Sequence, residues 1–245
     1  FGHNIIVPPL PIPEFIGNIN AVNPESVQRL RITFGKLGSM ALISHLDLMR
    51  LFERAARRAS IPMAFTSGFH PMPRIAAANA LSLGCSSSGE VADFELVASV
   101  PIAEFQARLT AQLPAEIPIY NTQEVELSHA SAAVMLQQAA YTLTLEMQEP
   151  GEHNLDRAIE LVKAANSILM PKTTKSGNLQ MLELRDRLSD LELISLDPIA
   201  IRYVGSCMAD GNNLKPEYVL FMLHQFSEGT PWRIAHVHRD RLIFA

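Results

Sequence analysis

Disulfide bonding is the first thing this chain is poorly equipped for, because it holds only Cys85 and Cys207. Two cysteines so far apart build neither a disulfide framework nor, unaided, a zinc site. Such sparse use of cysteine points to a reduced, cytoplasmic setting. No run of about 18 apolar residues occurs, so no membrane span and no membrane partner is expected. Nor is a signal peptide expected. Positive charge is in short supply: the net charge is -5 and the isoelectric point is near 5.9, which argues against indiscriminate nucleic-acid binding. No Gly-Lys-Ser/Thr loop is present, which removes the standard phosphate-loop reading. The chain opens on Phe1 rather than Met, and we expect it to be part of something longer.

What is there is unevenly spread. Apolar residues make up 48 % of the chain, ample for a core. Between Gln28 and Arg74 stand Arg29, Arg31, Lys36, Arg50, Arg54, Arg57, Arg58 and Arg74 against only Asp47 and Glu53. The other residues carry 12 basic and 23 acidic groups, so an anionic ligand should meet the first part of the chain.

Residues 1–27 hold five prolines, a density that blocks helix and favours extended polyproline conformation. They read as a linker or docking arm. From Gln28 the apolar spacing switches between periods of two and of three to four, in the order β-α-β-β-α-β. "QRLRITFGKLG" alternates as a strand. "ISHLDLMRLFERAARRAS" is a helix, with Ser44 as cap and Asp47 three residues on. "IPMAFTSGF" and "VADFELVAS" read as strands, "PIAEFQARLTAQLP" as a helix and "IPIYNTQEVEL" as a fourth strand. After a connector the order returns: "AYTLTLEM", "NLDRAIELVKAAN", "SILMPKT", "DPIAIRYVGSC", "KPEYVLFMLHQFS" and "RIAHVHRDRLIFA". The stretch "GNLQMLELRDRLSDLELISL" has no clear place in it. The expected fold class is α+β, two ferredoxin-like halves with antiparallel sheets and helices on one face, at 28–127 and 139–245, behind the Pro-rich arm.

Arg50, Arg54, Arg57 and Arg58 fall at i, i+4, i+7 and i+8 of the first helix, hence on one stripe. Guanidinium groups in a row suit phosphates, although a solvated face paired with Asp47 and Glu53 would look the same. Gly68 frees the backbone of the next loop and Pro71 and Pro73 stiffen it, so that Arg74 and His70 would be held in place. His45, in the first helical turn, and His70 are candidates for general acid–base work, with a packed helix end and a turn as the plainer alternative. His236 and His238 share a face of the last strand, with no acidic companion evident for a metal. Cys85 and Cys207 read as small core or loop residues.

The run carrying "SHLDLMRLFERAARRA", "SGFHPMPRI", "ALSLG" and "SSGEVADFEL" resembles the radical SAM-linked protein family, a domain of unknown function. The resemblance is close over roughly residues 28–127 and looser beyond. "FGHNIIVPPLPIPEFIG" is similar to the joint in cyanobacterial-type members fused behind a B12-binding radical SAM protein. The resemblance implies a radical SAM partner, fused or adjacent, which would carry the iron–sulfur cluster, S-adenosylmethionine and, as an option, cobalamin. This segment lacks the Cys-x3-Cys-x2-Cys motif and needs no cofactor of its own on this view. The first half also resembles, distantly, ferredoxin-like endoribonucleases that process CRISPR repeats.

Three readings follow. One is a non-catalytic accessory domain that binds RNA, or an RNA-derived substrate for modification, through Arg50, Arg54, Arg57, Arg58, Gly68, His70 and Arg74. The second is a metal-independent endoribonuclease using His45 and His70. The third is a structural docking partner that touches no nucleic acid.

Overall fold

A computed structural model describes residues 25–148, 154–173, 177–208 and 211–245. The first half runs Gln28–Lys36 (β1), His45–Arg58 (α1), Ile75–Ala77 (β2), Ser86–Leu96 (β3), Ile102–Thr110 (α2) and Ile119–Val125 (β4). A short helix, Ala132–Met135 (α3), leads into the second half. That half comprises Leu136–Met147 (β5), Leu155–Ala164 (α4), Leu169–Thr173 (β6), Leu179–Glu183 (β7), Leu188–Leu196 (β8), Ile199–Ser206 (β9), Pro216–His224 (α5) and Trp232–Phe244 (β10). The expected arm falls at residues 1–24 outside the described residues.

Strands lie side by side in the order β4-β1-β3-β10-β5-β9-β8, with β2 also on β3. Taken separately, β4-β1-β3-β2 and β10-β5-β9-β8 have the same spatial order, that of a ferredoxin-like unit. The chain is thus an α+β protein of two such halves. Their strands do not form two sheets, however. One edge of β3 is divided, with Ile75–Ala77 pairing to Ala92–Phe94 and β10 joining in parallel at His238↔Ser86 and Arg239↔Ser87. This short parallel seam turns two four-stranded sheets into one of eight strands.

Each half keeps its own core. In the first, Phe34, Phe52, Phe94 and Phe105 form an edge-to-face chain with centroids 5.0, 5.6 and 5.6 Å apart, the geometry that ring quadrupoles favour. In the second, Leu143, Leu145, Ile201 and Tyr203 pack under Ile159, Val162, Val219 and Met222 of α4 and α5. Burial of these alternate strand positions explains why both helices of that half cover one face.

Two strand expectations are corrected. "IPMAFTSGF" is not a strand: it makes single bridges, Met63↔Leu96 and Phe65↔Pro73, and Pro62 lacks the amide a ladder needs. Ile75–Ala77 takes that place instead. "SILMPKT" pairs only with β7, in a hairpin apart from the main sheet. The ladder strand comes from the unplaced stretch, as β8 paired to β9. Pro171 sits in the middle of β6, where a central strand would need an N–H donor, whereas Leu188 and Leu191 of β8 are buried against the core.

Candidate functional site

α1 forms where the sequence marks it. Ser44 Oγ accepts from the Asp47 amide at 3.2 Å and donates to the Asp47 carboxylate at 2.7 Å, closing a capping box. The Ser44 bond holds the Asp47 carboxyl below its ordinary value, with Arg50 adding to it. Leu48, Phe52, Ala55 and Ala56 are buried, which turns Arg50, Arg54, Arg57 and Arg58 outward, all exposed. Arg50 pairs with Asp47 at 3.2 Å, and Arg58 donates to the Gln112 carbonyl at 2.8 Å. Arg54 and Arg57 have no ion pair or side-chain hydrogen bond among the described residues.

The loop residues are placed differently. Arg74 donates to Glu95 at 3.1 Å and to the Phe65 carbonyl at 3.2 Å. Glu95 also holds Arg29 at 3.1 Å and Ser26 at 2.7 Å. Burial pushes the Glu95 carboxyl up, but Ser26, Arg74 and Arg29 outweigh it and leave it below the ordinary value. Arg74 is therefore held, sharing the Glu95 carboxylate with Arg29. With Leu46, Met49, Met72 and Pro73 it lines a groove of about 620 Å³ between α1 and the 66–76 segment. Arg50 and Arg54 line a separate pocket with Met40, Ile43 and Leu51. The expected constellation is thus divided over neighbouring flanks of α1. Gly68 has φ +122° with open space where a Cβ would stand, and His70 is exposed beside it. His45 is half-buried at the helix start, and no hydrogen bond joins it to His70.

The seam is the part that sequence reasoning missed. Arg239 is 1 % exposed and Glu90 3 %. The guanidinium Nε donates to Glu90 at 2.7 Å, and Nη1 to Asn79 Oδ1 at 2.9 Å and the Tyr141 hydroxyl at 3.3 Å. Desolvation would lower the Arg239 pKa, but the Glu90 carboxylate overrides it and raises it. Burial pushes the Tyr141 hydroxyl up to about 12. Lys36, wholly buried, gives its ammonium to the carbonyls of Ala41 at 3.2 Å and Ile43 at 2.9 Å, and burial lowers its pKa.

Beside this cluster lies a cavity of about 310 Å³. Both cysteines line it, Cys85 from the first half and Cys207 from the second, together with Tyr141, Asn79, Asn213 and Lys215. Burial raises both thiols above their ordinary value, so they are neutral thiols rather than nucleophilic thiolates. Across β10, on the face away from Arg239, Ser86 Oγ lies 2.8 Å from His236 Nε2 and 2.7 Å from His238 Nδ1. Ser88 Oγ is 2.7 Å from His238 Nε2. Burial lowers the His238 pKa, opposed by Asp240 and reinforced by His236. The acidic companion that spacing did not reveal is Asp240, 4.0 Å from His238. Among the described residues no group of three or more His, Cys, Asp or Glu side chains could hold a metal ion. The alternation of β10 was the one available signal for this cluster; its partners on β3 lie some 150 residues away in sequence.

A family model described as an uncharacterized protein conserved in bacteria (DUF2344) matches residues 29–216. No curated protein matches. Among solved structures, a chain of the crystal structure of a Cbf5-Nop10-Gar1 complex aligns at 8 % identity with a TM-score of 0.49. The alignment covers 87 % of this chain and 48 % of that one, so this chain spans about half the length of the solved one.

Proposed function

The chain belongs to that bacterial family, DUF2344, and on the chemistry of its own surface we propose that it is a non-catalytic accessory domain that holds RNA, or an RNA-derived substrate, for modification by a radical SAM enzyme fused or adjacent to it. The observation that carries this reading is the outer stripe of α1. On a chain of net charge -5, Arg54 and Arg57 stand exposed with no carboxylate partner among the described residues, and Arg58 meets only a carbonyl. Unpaired guanidinium groups along one helix face offer bidentate donors to a phosphate backbone. Arg74, pinned to Glu95 and to the Phe65 carbonyl, positions the 66–76 segment, so Gly68 and His70 would contact sugar or base from the neighbouring flank. The radical SAM partner rests on the resemblance of the 28–127 motifs. In that arrangement the iron–sulfur cluster, S-adenosylmethionine and any cobalamin belong to the partner.

A gel-shift salt series with total small RNA tests the reading. Binding should weaken steeply with salt, and Arg54→Glu with Arg57→Glu should cost at least about tenfold and lower the salt slope by roughly two. Salt-insensitive binding, or a double variant that binds like the parent, removes the phosphate contact. Retention of a radical SAM core without any RNA would favour the docking role instead. The nuclease alternative draws less support, since His45 and His70 share no bond.

A further inference from the structure

The cavity at the seam combines four features that the RNA stripe does not use. Its volume, about 310 Å³, lies at the small end of ligand pockets, with room for a single nucleotide and none for a dinucleotide. Its charge is unbalanced. Its lining carries Arg239 and Lys215 against Glu217, with Lys215 3.8 Å from Glu217; behind the wall Glu90 is bonded to Arg239, and the wholly buried Lys36 rests on the Ala41 and Ile43 carbonyls. A buried positive charge answered only by carbonyls favours an anion close by. Its polar wall is rich in spare donors. Asn79 Oδ1 is taken by Arg239 and Asn213 Oδ1 by the Met208 amide at 2.7 Å, which leaves both amide nitrogens to donate. Leu81, Leu214 and Pro216 supply an apolar side against which a flat ring can lie.

The location adds a fifth feature. The short 3-10 turn Gly38–Leu42 links the arginine stripe to the segment that leads into the cavity wall. Met40 lines the pocket of Arg50 and Arg54, while the Ala41 carbonyl accepts from Gly84, beside the cavity-lining Cys85, at 2.9 Å.

We propose that the seam cavity is a mononucleotide site that holds its ligand through the phosphate, taken either as a free nucleoside monophosphate or as the terminal nucleotide of an RNA chain. The second source rests on the RNA reading above; the first does not. Lys215 and the two carboxamides take the phosphate oxygens, and the apolar side takes the base.

Calorimetric titration of the full chain with UMP, AMP, their unphosphorylated nucleosides and citrate tests this. The monophosphates should bind, and the nucleosides should bind at least about tenfold more weakly. Ala80→Trp, which plugs the cavity from an exposed position, and Lys215→Glu, which reverses a surface charge, should each weaken UMP at least about tenfold. A gel shift separates the sources: if RNA supplies the nucleotide, a phosphorylated oligonucleotide end should lose affinity in Ala80→Trp and a dephosphorylated one should not. The proposal fails if neither monophosphate binds up to about 10 mM, if both variants bind UMP as the parent does, or if citrate binds as tightly as UMP. Failure here with an intact salt-dependent RNA shift leaves the α1 reading standing. UMP binding that survives Arg54→Glu with Arg57→Glu while the RNA shift disappears separates the two sites.

Discussion

His238 bonds to two serines of β3, Ser86 on Nδ1 and Ser88 on Nε2, with Asp240 and His236 beside it on β10 and Thr142 opposite on β5. Burial sets its pKa below 6.5. Above 6.5 the ring is neutral whether the chain is folded or not, and its contribution is complete. As the pH falls from 6.5 through the lower folded value, the unfolded chain takes up a proton that the folded chain resists, so stability is lost. We expect the melting temperature to drop less between about pH 7.5 and 5 in His238→Gln than in the parent; equal slopes would assign the acid sensitivity to other groups. At this scale the arginine stripe was legible, because i, i+4 and i+7 spacing needs only a helix to become a surface. Pairing was not. Glu95 pairs with both Arg74 and Arg29 from a strand that lies beside Arg74 only after folding.

α1 shows how far local rules reach. Its cap, its buried face and its first-turn acid all follow from residues within one turn of each other, and the structure carries each of them. Ser44→Ala should cost about 1 kcal/mol in a urea titration, while Thr66→Ala, in the exposed loop, should cost less. An equal loss would mean that the Ser44 hydroxyl matters no more than a loop contact. Strands obey weaker local rules. "SILMPKT" has the length and apolar content of a ladder strand and still forms a side hairpin. The deciding property is which stretch can bury alternate side chains beneath α4, and that depends on the helix being in place.

Two four-stranded units become one molecule through a buried apolar cluster that joins Ala78 and Val91 to Leu136, Ala139 and Leu242 and through a specific set of polar contacts. The parallel pairing spans two registers, backed by Ser87 Oγ on the Arg239 carbonyl at 2.8 Å and by the buried Arg239–Glu90 pair. Arg239→Met would leave Glu90 charged and buried without its partner, at a cost of about 3–5 kcal/mol. Because each half has its own core, urea unfolding of that variant should separate into two steps. A single sharp transition at the parental midpoint would refute the coupling role. Gly89→Ala should act in the same direction, since its Cβ would come 2.5 Å from the Asp240 carbonyl oxygen and 2.6 Å from Arg241 Cα. Read alone, the chain determined its class, its repeated β-α-β-β-α-β order, the start of α1 and the basic stripe, because periodicity and capping act over a few residues. Only the tertiary structure decided that the halves share a sheet, that Cys85 and Cys207 line one cavity and that a fully buried cation meets Glu90. Those contacts join residues more than 100 positions apart, and no short-range regularity of the sequence encodes the register that brings them together.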